Sequence, residues 1–133
     1  MKFQIISDIH LEYYNILPEL KYFFDVAAPN LILAGDICYY KHHNFLTFFE
    51  KINQLYENIF FIPGNHDYYA HYEIPEIGFE QIDFIMKENL SHLKNVHFIQ
   101  NDMIEYGNTI ILGNTLWFKS NKTINARLVN LNI

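Results

Sequence analysis

A single cysteine in 133 residues, Cys38, excludes any internal disulfide and any zinc cluster built on cysteines. Basic residues are also scarce. Nine Lys and Arg against fifteen Asp and Glu leave a formal charge of -6, and the nine are scattered rather than gathered in a block. A nucleic-acid partner held by phosphate neutralisation is therefore disfavoured. No apolar run approaches the roughly 18 residues that a membrane span requires. The amino terminus reaches Asp8 too early to leave room for the apolar core of a signal peptide. The expectation is a soluble chain without a membrane partner, and a reducing compartment such as the cytoplasm suits its lone cysteine. Low-complexity tracts, internal repeats and a domain boundary are not visible either, so residues 1–133 read as one domain.

What the chain does have is apolar residues, which make up 50% of it and suffice to bury a core. They fall into strand-like and helix-like segments with little linker between them. Phe3 to Ser7, Leu31 to Ala34 and Ile59 to Ile62 are continuous apolar runs, the pattern of strands covered on both faces in a parallel sheet. Phe45, Phe48, Phe49, Ile52, Leu55, Tyr56 and Ile59 follow helical spacing, as do Phe79, Ile82, Ile85, Met86 and Leu90. Pro18 suits the first turn of a shorter helix carrying Leu20, Phe23 and Phe24. Val96 to Gln100 reads as a fourth strand, followed by a hairpin of Met103 to Tyr106 and Thr109 to Leu112 around Gly107-Asn108. The expected order, β-α-β-α-β-α-β-β-β, points to an α/β layered fold with right-handed crossovers.

Three short polar turns follow the first three strands: Asp8-Ile9-His10, Gly35-Asp36 and Gly64-Asn65-His66-Asp67. In open α/β sheets ligands collect beyond the carboxyl ends of the strands, so neighbouring parallel strands would gather Asp8, His10, Asp36, Asn65 and His66 at one edge. Two carboxylates there resist ionising together unless a cation lies between them. Carboxylate, imidazole and amide oxygen suit Mn, Fe, Zn or similar ions, among which the sequence does not choose. Gly35 and Gly64 allow the backbone to turn tightly and approach the site. Taken singly, Asp-x-His also reads as a loop or cap and Gly-Asp as an ordinary turn.

All three motifs in this order, each after a strand, resemble the first three motifs of the calcineurin-like metallophosphoesterases. The resemblance runs from Met1 to about Phe118, with a weaker match at Asn114-Thr115-Leu116-Trp117. It implies the N-terminal part of a layered β-sandwich flanked by helices. It also implies a metal-dependent hydrolase that cleaves a phosphate mono- or diester with water activated by two divalent cations. Asp36 would bridge the two metals, Asp8 and His10 would bind the first, and Asn65 the second. His66 would contact the phosphate and stabilise the leaving oxygen, and Asp67 would orient the His66 imidazole, fixing its tautomer.

The chain departs from the family in lacking a later histidine and the Gly-His-x-His motif that complete both metal shells. By count the second cation keeps Asp36 and Asn65 alone and should bind weakly. The second sheet of the sandwich should be incomplete, which would leave an apolar face open to self-association or to a partner chain. The expectation is either a piece of a longer enzyme or a shortened, non-catalytic relative that serves as a binding module. A dinucleotide-binding reading fails because no Gly-x-Gly-x-x-Gly follows the first strand. Of the remaining candidates, His71 could line the substrate pocket, His42 and His43 are expected in solvent, and Cys38 and Trp117 are expected to pack.

Overall fold

Four of the apolar segments lie side by side in the computed structural model, which describes residues 1–70 and 73–117. Strands β1 (Phe3–Ile6), β2 (Asn30–Ala34), β3 (Asn58–Ile62) and β4 (Val96–Phe98) form one parallel sheet in the order β1-β2-β3-β4. The register sets two rows across it. Ile6, Leu33, Phe61 and Phe98 stand opposite one another on one face, and Ile5, Ile32, Phe60 and His97 on the other. Because side chains alternate along a strand, this register separates two cores.

Helices cover the first face. Helix α1 (His43–Ile52) buries Phe45, Phe48, Phe49 and Ile52 against Leu31, Leu33, Ile59 and Phe61. The Nδ1 of His42 accepts from the N–H of Asn44 and caps the helix, while the Nε2 of His43 lies 2.7 Å from the carbonyl of Asn15. His43 is exposed, as expected, whereas His42 is half-buried at the helix cap, which corrects the expectation for that residue. The helical spacing of the sequence continues to Ile59, yet α1 ends at Ile52. There the Nδ2 of Asn95 donates to the carbonyls of Asn53 and Tyr56, closing the turn and releasing the chain into β3. After β3 come a single turn of helix, α2 (Asn65–Tyr68), and then α3 (Phe79–Leu90), which adds Ile82, Met86 and Leu90 to the same core.

The helix expected after Pro18 does not form. Only a 3-10 turn, Leu20–Tyr22, is present. The side chain of Gln4 donates to the carbonyl of Asp25 and accepts from the N–H of Ala27, holding that stretch outside a helix, and Pro29 follows. A segment this short cannot offset the cost of helix nucleation once those backbone groups are taken.

A hairpin lies on the second face. Strands β5 (Asp102–Tyr106) and β6 (Thr109–Gly113) pair antiparallel around Gly107, as the sequence indicates. Ile104, Tyr106 and Ile111 join Ile99 in covering Phe3, Ile32 and Phe60. The result is the mixed α/β layering expected of the N-terminal part of a metallophosphoesterase sandwich. The hairpin covers the sheet around Phe60, whereas Ile5 on the same face stays 68% exposed, and the outer row of the hairpin adds further open apolar surface. There Met103, Ile110 and Leu112 are 53%, 60% and 75% exposed. Among the described residues no helix is long and apolar enough to cross a membrane.

Candidate metal centre

Because β1, β2 and β3 are adjacent and parallel, the turns that follow them meet at one edge of the sheet. Backbone hydrogen bonds fasten them together. The N–H groups of Asp8, His10 and Leu11 donate to the carbonyls of Gly35, Asp36 and Ile37 at 3.0, 3.1 and 2.9 Å. The pairing of β1 with β2 thus continues past the strand ends. Asp8, His10 and Asp36 all adopt left-handed backbone conformations, with φ of 55°, 51° and 54°. A conformation that L-residues avoid, adopted by three polar residues of one cluster, is the kind of strain that surrounding structure must enforce.

Two glycines make this crowding possible. A Cβ on Gly35, whose φ is 86°, would come within 2.8 Å of the Gly64 backbone, and one on Gly64 would collide with Oδ1 of Asp36. The second and third turns therefore touch backbone to backbone, and Oδ1 of Asp36 accepts from the N–H of His66 at 2.9 Å.

Asp67 provides the floor of the site. It is fully buried and accepts from the N–H groups of Asp36, Ile37, Cys38 and Gly64 at 2.9, 2.9, 2.8 and 2.7 Å. Burial pushes its carboxyl up to about 7, opposed by the Cys38, Gly64 and Ile37 amides, which favour the ionised form, while nearby Asp36 adds to the rise. Both oxygens are engaged by amides, and among the described residues no hydrogen bond links Asp67 to the His66 imidazole, the contact that the resemblance implies. Asp67 fixes the backbone of the two turns that carry Asp36 and His66.

The donor atoms of Asp8, His10 and Asp36 lie within 4.8 Å of one another, and Nε2 of His10 is 3.9 Å from Oδ2 of Asp36. Two carboxylates and an imidazole at this spacing are a donor set that fits a divalent cation. The Nδ2 of Asn65 donates to the hydroxyl of Tyr69 at 2.5 Å. The His66 ring sits edge-on to that of His10, with centroids 4.8 Å apart and planes at 88°.

One residue of the cluster escaped the sequence reading. Glu12 places Oε1 3.0 Å from Nδ1 of His10 and 3.7 Å from Nδ1 of His66, with its side chain only 4% exposed. The signal was available in the alternation Asp8-x-His10-x-Glu12. The left-handed turn at His10 followed by the 3-10 turn Leu11–Tyr13 brings Glu12 back beneath the site.

Among the described residues, the other histidines and Cys38 are not part of this donor set. His97 stacks on Phe60 on the hairpin face, and burial lowers its pKa. His92 is near Glu50 on the surface. Burial, with Glu12 and Asp67 nearby, holds the Cys38 thiol far above its ordinary range, consistent with a packed, unreactive residue. Trp117 stacks on Phe79 with centroids 4.6 Å apart, and the Oγ1 of Thr115 donates to the carbonyl of Pro63, so this segment buttresses the third turn. His71 lies outside the described residues.

A family model described as calcineurin-like phosphoesterase matches residues 1–129. An uncharacterized protein of Acanthamoeba polyphaga mimivirus is 31% identical over 120 residues, which cover 84% of this chain and 42% of that protein. The chain thus spans less than half the length of this curated relative. No solved structure gives a significant match.

Proposed function

Since the chain belongs to the calcineurin-like phosphoesterase family, we propose that it provides the metal and phosphate site of a metal-dependent phosphoric ester hydrolase acting on a phosphate mono- or diester. The observation that carries this reading is the convergence of Asp8, His10 and Asp36 from two turns, each in a left-handed conformation and with donor atoms within 4.8 Å. Asp8, His10 and Asp36 would hold the first divalent cation; Asp36 and Asn65 would hold a second, more weakly. Bound there, the cations would supply Lewis-acid charge to the phosphate oxygens and lower the pKa of the attacking water. Electrostatic stabilisation is the dominant contribution in phosphoryl transfer, and here preorganised turns provide it.

His66 presents its ring beside that of His10 and would contact the phosphate and stabilise the leaving oxygen. Asp67 serves the reaction indirectly by holding both turns through their amides. His71 is proposed to line the substrate pocket. The test is Mn-dependent hydrolysis of a chromogenic phosphomonoester and diester, with Asp36→Asn as the control. Turnover lost in the variant supports the reading; equal turnover in both proteins overturns it.

A second reading is a binding module without turnover. It is favoured by the short donor set for the second cation and by the exposed outer row of the hairpin, Met103, Ile110 and Leu112. A folded chain that is inactive with Mn and elutes as a dimer or larger species would support it.

A further inference from the structure

Glu12 lies among groups whose hydrogen-bonding capacity is unfilled. Among the described residues its Oε2 is buried with no hydrogen-bond partner, and so is Nδ1 of His66. The two residues face each other, with Nδ1 of His66 3.7 Å from Oε1 of Glu12, slightly beyond hydrogen-bond length. The same oxygen already stands 3.0 Å from Nδ1 of His10. A buried carboxylate oxygen and a buried ring nitrogen are each costly if left unpaired. A proton on Nδ1 of each ring gives the His66 nitrogen its partner: Oε1 of Glu12 accepts from His10 at 3.0 Å and, after a shift of a few tenths of an ångström, from His66 as well.

The support beneath Glu12 is rigid. Leu11 is fully buried, and its N–H donates to the carbonyl of Ile37. The side-chain amide of Asn44, itself buried, donates to the carbonyls of Leu11 and Tyr14 at 3.0 and 2.7 Å and grips the turn on either side of Glu12.

We propose that Glu12 is a positioning residue that binds Nδ1 of both His10 and His66, so that both rings present an unprotonated Nε2 to the edge where Asp8 and Asp36 converge. For His10 this makes Nε2, the atom 3.9 Å from Oδ2 of Asp36, the metal donor. For His66 it turns Nε2 toward the position of the phosphate. One buried carboxylate thereby aligns the metal-binding and the phosphate-binding imidazole together, the service a carboxylate commonly gives a metal-ligating histidine. The orientation stands on the geometry alone; its consequence for metal rests on the phosphoesterase reading.

The decisive experiment is long-range proton–nitrogen NMR of the neutral imidazoles in the metal-free chain, wild type and Glu12→Gln, alongside Mn titration by electron paramagnetic resonance and a thermal melt. The wild type should show Nδ1–H on His10 and His66. Glu12→Gln removes the negative charge that favours both Nδ1–H groups and replaces one oxygen by an NH2 donor, so His66, the more distant ring, should move its proton to Nε2. Mn affinity should fall about 10- to 100-fold while the fold persists. Should Glu12→Gln not fold, Glu12→Asp keeps the charge, withdraws the carboxylate by one methylene and is read in the same way. Nε2–H on His66 in the wild type overturns the proposal, as do unchanged tautomers in the variants. If instead the tautomers shift as expected but Mn binds equally well to wild type and Asp36→Asn, the metal reading fails and the role of Glu12 stands.

Discussion

Two buried acids, Asp67 and Glu12, sit beneath the same sheet edge and differ in how far they are satisfied. Asp67 takes four backbone N–H donors and has no capacity left. Glu12 has one close ring partner, a second slightly out of range and, among the described residues, an oxygen without a partner. The first arrangement builds structure, since removing the acceptor strands several donors at once. The second aligns side chains, which leaves room for small adjustments when something binds. Filled hydrogen-bonding capacity marks the scaffold here, and unfilled capacity marks the site.

Breaking the filled side should cost most. Asp67→Ala leaves four N–H groups without an acceptor, and at about 1–3 kcal/mol for each buried unsatisfied group the loss should exceed about 3 kcal/mol. Urea unfolding measures it; a loss below about 1 kcal/mol would show that water replaces the carboxylate easily.

Gly64→Ala strikes the contact between the two turns. Its Cβ would collide with Oδ1 of Asp36 and approach the Asp36 nitrogen to 2.5 Å. Overpacking of this kind costs about 1–3 kcal/mol, and the displaced Asp36 should weaken Mn binding as well. Unaltered stability together with unaltered Mn affinity would mean that the turns separate freely.

Away from the edge the effects should shrink. Burial lowers the pKa of His97, so its charged form is disfavoured in the folded chain. The unfolded chain then binds more protons, and this contribution to stability is present above the unfolded pKa near 6.5 and lost as pH falls through the lower folded value. Stability measured from pH 7.5 to 5 should fall less steeply in His97→Phe than in the wild type. The smallest change belongs to the outer row of the hairpin: Leu112→Ser, at a position 75% exposed, should alter stability by less than about 0.5 kcal/mol. Its elution on gel filtration compared with wild type would reveal whether that row holds copies of the chain together.

Much of the fold was legible in the residues. Continuous runs such as Leu31 to Ala34 announce buried parallel strands, and Gly107-Asn108 announces the hairpin. Phe79 to Leu90 kept its helical period over the full span of α3. Where the reading went astray, a distant residue had intervened: Gln4 captures the backbone at Asp25 and Ala27, and Asn95 closes α1 at Ile52. The role that the resemblance implies for Asp67 follows from its position beside His66. Adjacent residues on a short helix point apart, and the Asp67 side chain turns inward to the amides of the turn after β2.

By itself the sequence determined which residues would follow the strands and that an α/β layering would bring Asp8, His10, Asp36, Asn65 and His66 to one edge. Short-range periodicity and turn chemistry suffice for that, because both are properties of neighbouring residues. Only the tertiary structure decided that Asp67 serves backbone amides and that Glu12 stands behind two imidazoles. Those assignments depend on which groups are denied water and on which partners lie within about 3 Å, and both are settled by packing between segments tens of residues apart.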